Sequence, residues 1–243
     1  MTDTSWLKKT HIAHRGLHDD SRPENSMAAF VAALTHGFAI ECDVQASLEG
    51  IPVVFHDAHL ARMTGEDAYV YQRELQTLKT YTLADSTETI ASLEDVLQFV
   101  DGRVPLLIEI KADSPVVSLT NAVITLLKDY SGEVAIHSFS PAIVRHLKKK
   151  APAILRGQIS SQFANNTHLS SFKKFYLSRM LLNPWTQPDF VTYDISALPN
   201  PTVDRFKKSK KPIIGYTAKT QADYTNALTR VDNVVFEGFL PEV

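Results

Sequence analysis

Glu41 and Asp43, in the stretch FAIECDV, are two residues apart, so on an extended strand they point to the same face. Two carboxylates on one face of an apolar strand repel each other and resist burial, and positive charge must offset them. LLIEIKAD repeats the pattern, with Glu109 and Lys111 sharing one strand face. One reading is a separate salt bridge at each strand, with Glu109–Lys111 a structural pair. The other is a single cation shared by Glu41, Asp43 and Glu109, which accounts for both strands at once and is preferred for that reason. Three hard oxygen ligands suit Mg2+ or Ca2+. Zn2+ fits less well, because no Cys or His pair has ligand spacing.

His14 and Arg15 close an earlier apolar stretch, before Gly16 turns the chain, and His56 ends PVVFH. Two histidines beside a divalent cation can act as general acid and general base near neutral pH. Arg15 and Lys111 add fixed positive charge. Such a set suits a phosphoryl centre, where stabilising negative charge is most of the work. A lone histidine is more often a structural hydrogen bonder, which is the reading for His11, His18, His36, His59, His146 and His168; His137 stays open. Asn25 is read as a helix cap, and Asp57 as orienting a loop or His56 rather than as a ligand.

These groups need a scaffold that brings separate strands to one place. Strand-like runs at 11–15, 38–44, 104–111, 134–139, 153–159, 189–195, 212–217 and 233–237 alternate with helical runs. Those helices are expected at 25–37, 92–100, 115–130, 141–149, 169–182, 201–208 and 220–228. Strands alternating with helices imply a parallel sheet, and near-continuous apolar strands imply cover on both faces. Eight such units in 243 residues favour an α/β fold of the (β/α)8 or TIM-barrel type. In that fold, inward side chains at C-terminal strand ends line the active-site mouth. PVVFH (52–56) extends beyond the second strand. Residues 57–89 break the rhythm and are expected to form a small insertion or lid within one domain, 1–243.

Composition narrows the classes. The chain is 44% hydrophobic and 21% charged with a formal net charge of −2, so no nucleic-acid partner is expected. Cys42 is the only cysteine, which fits a reducing compartment. No stretch reaches the roughly 18 apolar residues of a spanning helix, and the N-terminal stretch lacks the apolar core of a signal peptide. A cytoplasmic protein without stable membrane insertion is expected. LSSFKKFYLSRMLLNPW (169–185) is basic and apolar enough to suggest membrane contact. The preferred reading is an outer barrel helix with its apolar side packed inward. The lysines at 148–150 and 207–211 fall near expected helix ends, where cations complement the dipole.

HRG, RPENSMAAF, HGFAIECDVQASLEGIPVVFHDAHLARMTG, SLEDVL and LLIEIK occur in order, nearly continuously over 11–113. Together they resemble the glycerophosphodiester phosphodiesterase family, a TIM-barrel group in one superfamily with bacterial phosphatidylinositol-specific phospholipases C and sphingomyelinase D-like toxins. The resemblance implies hydrolysis of a small glycerophosphodiester, such as glycerophosphocholine or glycerophosphoethanolamine, to sn-glycerol 3-phosphate and an alcohol. By that analogy His14 and His56 are the acid–base pair, and Glu41, Asp43 and Glu109 hold one divalent cation. Arg15 and Lys111 surround the phosphate. The C-terminal half departs from the pattern. Tyr216–Thr217 stands where the family usually has Trp-Thr, and Tyr216 can still wall a glycerol pocket. Phe236–Glu237 replaces a Thr-Asp-x-Pro motif. The attacking oxygen is water or the glycerol 2-hydroxyl, and neither histidine is tied to one role. The rival readings are a lysophospholipase D-like enzyme acting on lysophospholipids and a catalytically silent binding barrel. Oligomeric state is left open.

Overall fold

The computed structural model describes residues 3–113, 115–164, 166–167 and 169–242, so His168 lies outside the described residues. The chain divides into two compact units, one of residues 12–135 and one of residues 1–11 with 136–243.

The first unit carries every candidate site residue except Tyr216. Strand β1 (Ile12–Ala13) pairs in parallel with β2 (Ala39–Ala46), matching Ile12 to Ala39 and Ala13 to Ile40. β3 (Pro52–Val54) turns back antiparallel on β2, with Val44 opposite Val54. PVVFH is thus a hairpin return. β4 (Leu106–Ile110) is parallel to β2 in a register that sets Asp43 beside Glu109. All five residues of β4 and all eight of β2 are buried. Both strands are covered on two faces, as their continuous apolar runs imply.

The helices of this unit start where local chemistry can cap them. Met27–Thr35 begins at Ser26, whose hydroxyl accepts from Ala29 N at 3.2 Å. Leu93–Val100 begins with a capping box. Ser92 Oγ accepts from Asp95 N at 3.1 Å, and Asp95 Oδ2 accepts from Ser92 N at 3.0 Å. Between β3 and that helix, residues 57–89 hold three short helical turns. Leu60, Val70, Leu78 and Leu83 there pack with Val53, Phe55 and Ile90 into an apolar cluster of their own.

In the second unit β6 (Leu155–Ser160), β7 (Phe190–Asp194), β8 (Ile213–Ala218) and β9 (Asn233–Phe236) run parallel in sequence order. β5 (Val134–Ser138) begins just before the point where the chain passes into this unit. Helices Pro141–Lys150, Ser171–Ser178, Pro201–Lys207 and Gln221–Leu228 fall between the strands, as the periodicity predicts. Lys148, Lys149 and Lys150 form the last turn of the first of them. Asn233 ties the N-terminal segment to β9 by donating to Leu7 O at 3.0 Å and Thr10 O at 2.8 Å.

Helix Ser171–Ser178 departs from expectation. Its only buried residue is Ser178, while Phe172 and Phe175 are exposed. Two of the hydrogen bonds that anchor it go to its C-terminal carbonyls, from Ser160 Oγ to Leu177 O at 2.8 Å and Tyr193 OH to Ser178 O at 3.2 Å, and Lys174 Nζ donates to Ala164 O at 3.1 Å. The apolar side of this helix is packed inward only in part: Tyr176 and Leu177 are half-buried, and Phe172 and Phe175 are not covered. Among the described residues no helix is long and apolar enough to cross a membrane.

Candidate active site

β1 is only two residues long because the chain turns at once through His14, Arg15 and Gly16. Arg15 has φ 53° and Gly16 φ 79°. The turn is held against β2. Arg15 N donates to Glu41 Oε2 at 3.0 Å, and Gly16 N donates to Glu41 O at 3.2 Å. Asn25, with φ 57°, donates its own N–H to Arg15 O at 2.9 Å. Two non-glycine residues thus occupy the left-handed region in touching loops, and both hold acidic side chains of β2. Such conformations persist where surrounding contacts over-determine them.

Gly16 does more than turn the chain. A Cβ there would lie 2.9 Å from the backbone and side chain of Ala29 and from Phe30 of the following helix. Gly16→Ala therefore combines a left-handed backbone with overpacking, and is expected to cost about 2–4 kcal/mol. Urea unfolding measures this, and a midpoint equal to wild type would overturn it.

The acidic groups sit on adjacent parallel strands. Glu41, Asp43 and Glu109 are all buried. Glu41 and Glu109 bring carboxylate oxygens within 4.8 Å of one another. Lys111 continues the β4 ladder by donating its N–H to Val44 O at 3.1 Å, which keeps its side chain on the Glu109 face. Its Nζ lies 2.7 Å from Asp43 Oδ1 and 2.8 Å from Glu109 Oε1. Arg15 Nε is 3.2 Å from Asp43 Oδ2. Burial by itself would raise the Asp43 carboxyl, but Lys111, His56, Arg15 and His14 outweigh it and hold the group well below the usual carboxylate range. Burial opposes the charge on Lys111 in the same way, and Asp43 and Glu109 more than offset it, so its ammonium is held above the ordinary range.

Asn25 is not the helix cap; Ser26 is. The Asn25 amide instead clasps Asp43, donating from Nδ2 to Oδ2 at 2.9 Å and accepting from Asp43 N at 3.2 Å. Composition favours a cap there, because Asn and Ser are both good N-caps. Only the fold sets Asn25 beside β2.

His56 reaches the same site through the hairpin. Phe55 N donates to Asp43 O at 3.0 Å, extending the β2–β3 register by one residue. Gln45, on the Glu41–Asp43 face of β2, donates from Nε2 to His56 O at 3.2 Å. The ring donates from Nδ1 to Asp57 Oδ1 at 2.6 Å, which leaves Nε2 to take or give a proton. Asp57 is thus an orienting group. It accepts from Arg62 Nε at 2.5 Å, and Arg62 Nη2 donates to Glu24 Oε1 at 2.6 Å. Glu24 also accepts from Arg15 Nη1 at 2.8 Å. One run of ion pairs therefore connects His56, Asp57, Arg62, Glu24, Arg15, Asp43, Lys111 and Glu109. Burial would raise the carboxyls of Asp57 and Glu24, but their arginine partners lower both.

Glu24, Arg62 and Gln45 are the members that sequence reasoning missed. Glu24 lies inside RPENSMAAF, and Gln45 and Arg62 lie inside HGFAIECDVQASLEGIPVVFHDAHLARMTG, which was the available signal. His14 is half-buried and adds to the positive potential at Asp43. Tyr216 belongs to the second unit, where its hydroxyl donates to Ser160 O at 3.2 Å and its ring meets Phe139 edge-on. His137, left open above, is buried there with Nδ1 3.1 Å from Thr192 Oγ1.

The donor set fits a divalent cation. Glu24, Glu41, Asp43, Asp57 and Glu109 face Arg15, Arg62 and Lys111, which leaves an excess of two negative charges when the histidines are neutral. Glu41 and Glu109 offer buried carboxylate oxygens close enough together to share one hard cation such as Mg2+ or Ca2+, while the Asp43 oxygens face Lys111, Arg15 and Asn25.

Comparison with known proteins gives the family and the fold. A glycerophosphodiester phosphodiesterase of Caldanaerobacter subterraneus subsp. tengcongensis is 33% identical over 165 residues, 62% of this chain and 66% of that protein. The match thus spans just under two thirds of that relative's length. Among solved structures, a phosphodiesterase of Oleispira antarctica in complex with the product sn-glycerol-3-phosphate superposes with a TM-score of 0.82 at 23% identity, covering 96% of this chain and 94% of that one. A glycerophosphodiester phosphodiesterase of Thermotoga maritima superposes with a TM-score of 0.74 at 21% identity, covering 93% and 94%. These likenesses extend over both units, and the fold is a (β/α)8 barrel. The model of the glycerophosphoryl diester phosphodiesterase family matches residues 14–236, from the first histidine of the site to the last strand, and the chain belongs to that family.

Proposed function

We propose that the protein hydrolyses small glycerophosphodiesters to sn-glycerol 3-phosphate and an alcohol, with a divalent cation, Mg2+ or Ca2+, bound by Glu41, Asp43 and Glu109. The observation that carries this reading is the single ion-pair run that joins an oriented histidine to a buried carboxylate set. When bound, the cation supplies fixed positive charge opposite the negative charge that develops on the phosphoryl oxygens.

The chain's own groups divide the remaining work. His56, held through Nδ1 by Asp57, presents Nε2 for proton transfer. His14 is its partner across the reacting bond, and one of the two deprotonates the attacking oxygen while the other protonates the leaving alcohol. Arg15 and Lys111 are cations already desolvated, so little reorganisation is needed when a phosphate arrives. Tyr216 is assigned to the glycerol end of the substrate. The chain works as one phosphodiesterase domain with 57–89 as a small insertion, in the lipid and glycerol metabolism of the cytoplasm, where the buried Cys42 thiol stays reduced.

The test is release of sn-glycerol 3-phosphate from glycerophosphocholine by purified protein. Release is expected with Mg2+ or Ca2+, lost in EDTA and regained when the metal is restored. Undiminished release in EDTA would overturn the metal assignment. No release with either metal would overturn the substrate class.

A further inference from the structure

We propose that the helix after β6 docks the protein on an anionic lipid surface. Helix Ser171–Ser178 and the short turn Asn183–Thr186 both belong to the second unit. They expose aromatic side chains that soluble proteins usually bury: Phe172 at 70%, Trp185 at 50% and Phe175 at 47%. The helix itself is well defined, with Ser170 Oγ accepting from Lys173 N at its start. Its two phenylalanines stay outward, while the helix is fastened at its C-terminal carbonyls and by Lys174 Nζ, which donates to Ala164 O at 3.1 Å.

The charge along this stretch of chain has one sign. Residues 134–188 contain eight lysines and arginines and no aspartate or glutamate, in a chain whose net charge is −2. Lys173 and Lys174 stand between the two phenylalanines, and Arg179 lies 4.1 Å over the Phe175 ring. Arg145 lies 5.5 Å over the Trp185 ring. Aromatic rings flanked by cations are the composition of an interfacial helix, where rings enter the headgroup boundary and cations meet lipid phosphates. A second copy of the chain fits less well. A two-fold contact here would set the basic patch against itself.

The inference is independent of the hydrolytic reading, and the test keeps the two apart. The full chain is sedimented with vesicles of phosphatidylcholine alone and with vesicles containing one third phosphatidylglycerol. Binding to the anionic vesicles is expected to exceed binding to the neutral ones by about tenfold or more at low salt, and to fall as salt is raised. The double variants F172S/F175S and K173E/K174E are each expected to lose about tenfold in partitioning. Both should keep the wild-type melting curve, because neither pair is buried. Turnover of water-soluble glycerophosphocholine should be unchanged in both. The proposal is overturned by absent anionic binding at low salt, or by binding that both variants retain. It is equally overturned by self-association that F172S/F175S abolishes without vesicle binding, or by binding to a single-stranded oligonucleotide in preference to vesicles.

Discussion

His56→Ala is expected to lower kcat for glycerophosphocholine by roughly 10²–10⁴-fold, the usual contribution of a positioned acid or base. The reason lies in how the ring is held. Its Nδ1 donates to Asp57 and its backbone carbonyl accepts from Gln45, so Nε2 is aimed without cost at the moment of reaction. Alanine removes the proton carrier and leaves Asp57 still paired with Arg62. The fold should therefore survive, since the His56 side chain is 31% exposed and contributes little apolar burial. Asp57→Asn is expected to give a smaller loss, because it loosens the ring without removing it. His14→Ala should match His56→Ala in size. Steady-state kinetics with a melting curve for each variant decides the matter. Wild-type turnover in His56→Ala would sink the assignment of the acid–base pair.

Lys111→Met should act mainly on stability. The Lys111 ammonium bridges Asp43 and Glu109; both carboxylates are buried and the Lys111 side chain is only 11% exposed. Removing one partner of such a set leaves uncompensated buried charge, a loss of about 3–5 kcal/mol. Without metal the variant is expected to unfold at clearly lower urea than wild type. Added Mg2+ or Ca2+ should recover more stability in the variant than in wild type, because the carboxylates then lack their competing cation. The acid side should change as well. Asp43 in wild type is held below its ordinary range, so its contribution is present above about pH 4 and is lost as pH falls toward the folded value. With Lys111 gone that depression shrinks, and the acid-side loss becomes shallower. Equal urea midpoints for both proteins without metal would refute this account.

Both predictions start from residues that are recognisable in the sequence. The spacing of Glu41 and Asp43 on one strand face and the pairing of Glu109 with Lys111 follow from the two-residue period of a strand. The start of the helix expected at 92–100 was legible for a similarly local reason, since Ser92 and Asp95 have capping-box spacing and form that box. The parallel sheet and the (β/α)8 class followed from the alternation of apolar runs, because a parallel sheet covered on both faces leaves that mark on each strand.

Tertiary structure alone decided which polar groups meet. Asn25 is 18 residues from Asp43 and Arg62 is 38 residues from Glu24, and no local rule links them. The β2–β3 hairpin set the register that brings His56 to Asp43, and its direction was not visible in PVVFH. Helix Ser171–Ser178 shows the opposite limit. Its amphipathic pattern identified a helix, but the inward orientation read from it holds only in part, with Phe172 and Phe175 exposed. Periodicity records that apolar side chains share a face, but whether that face meets a core or a solvent boundary depends on what the rest of the chain packs against it.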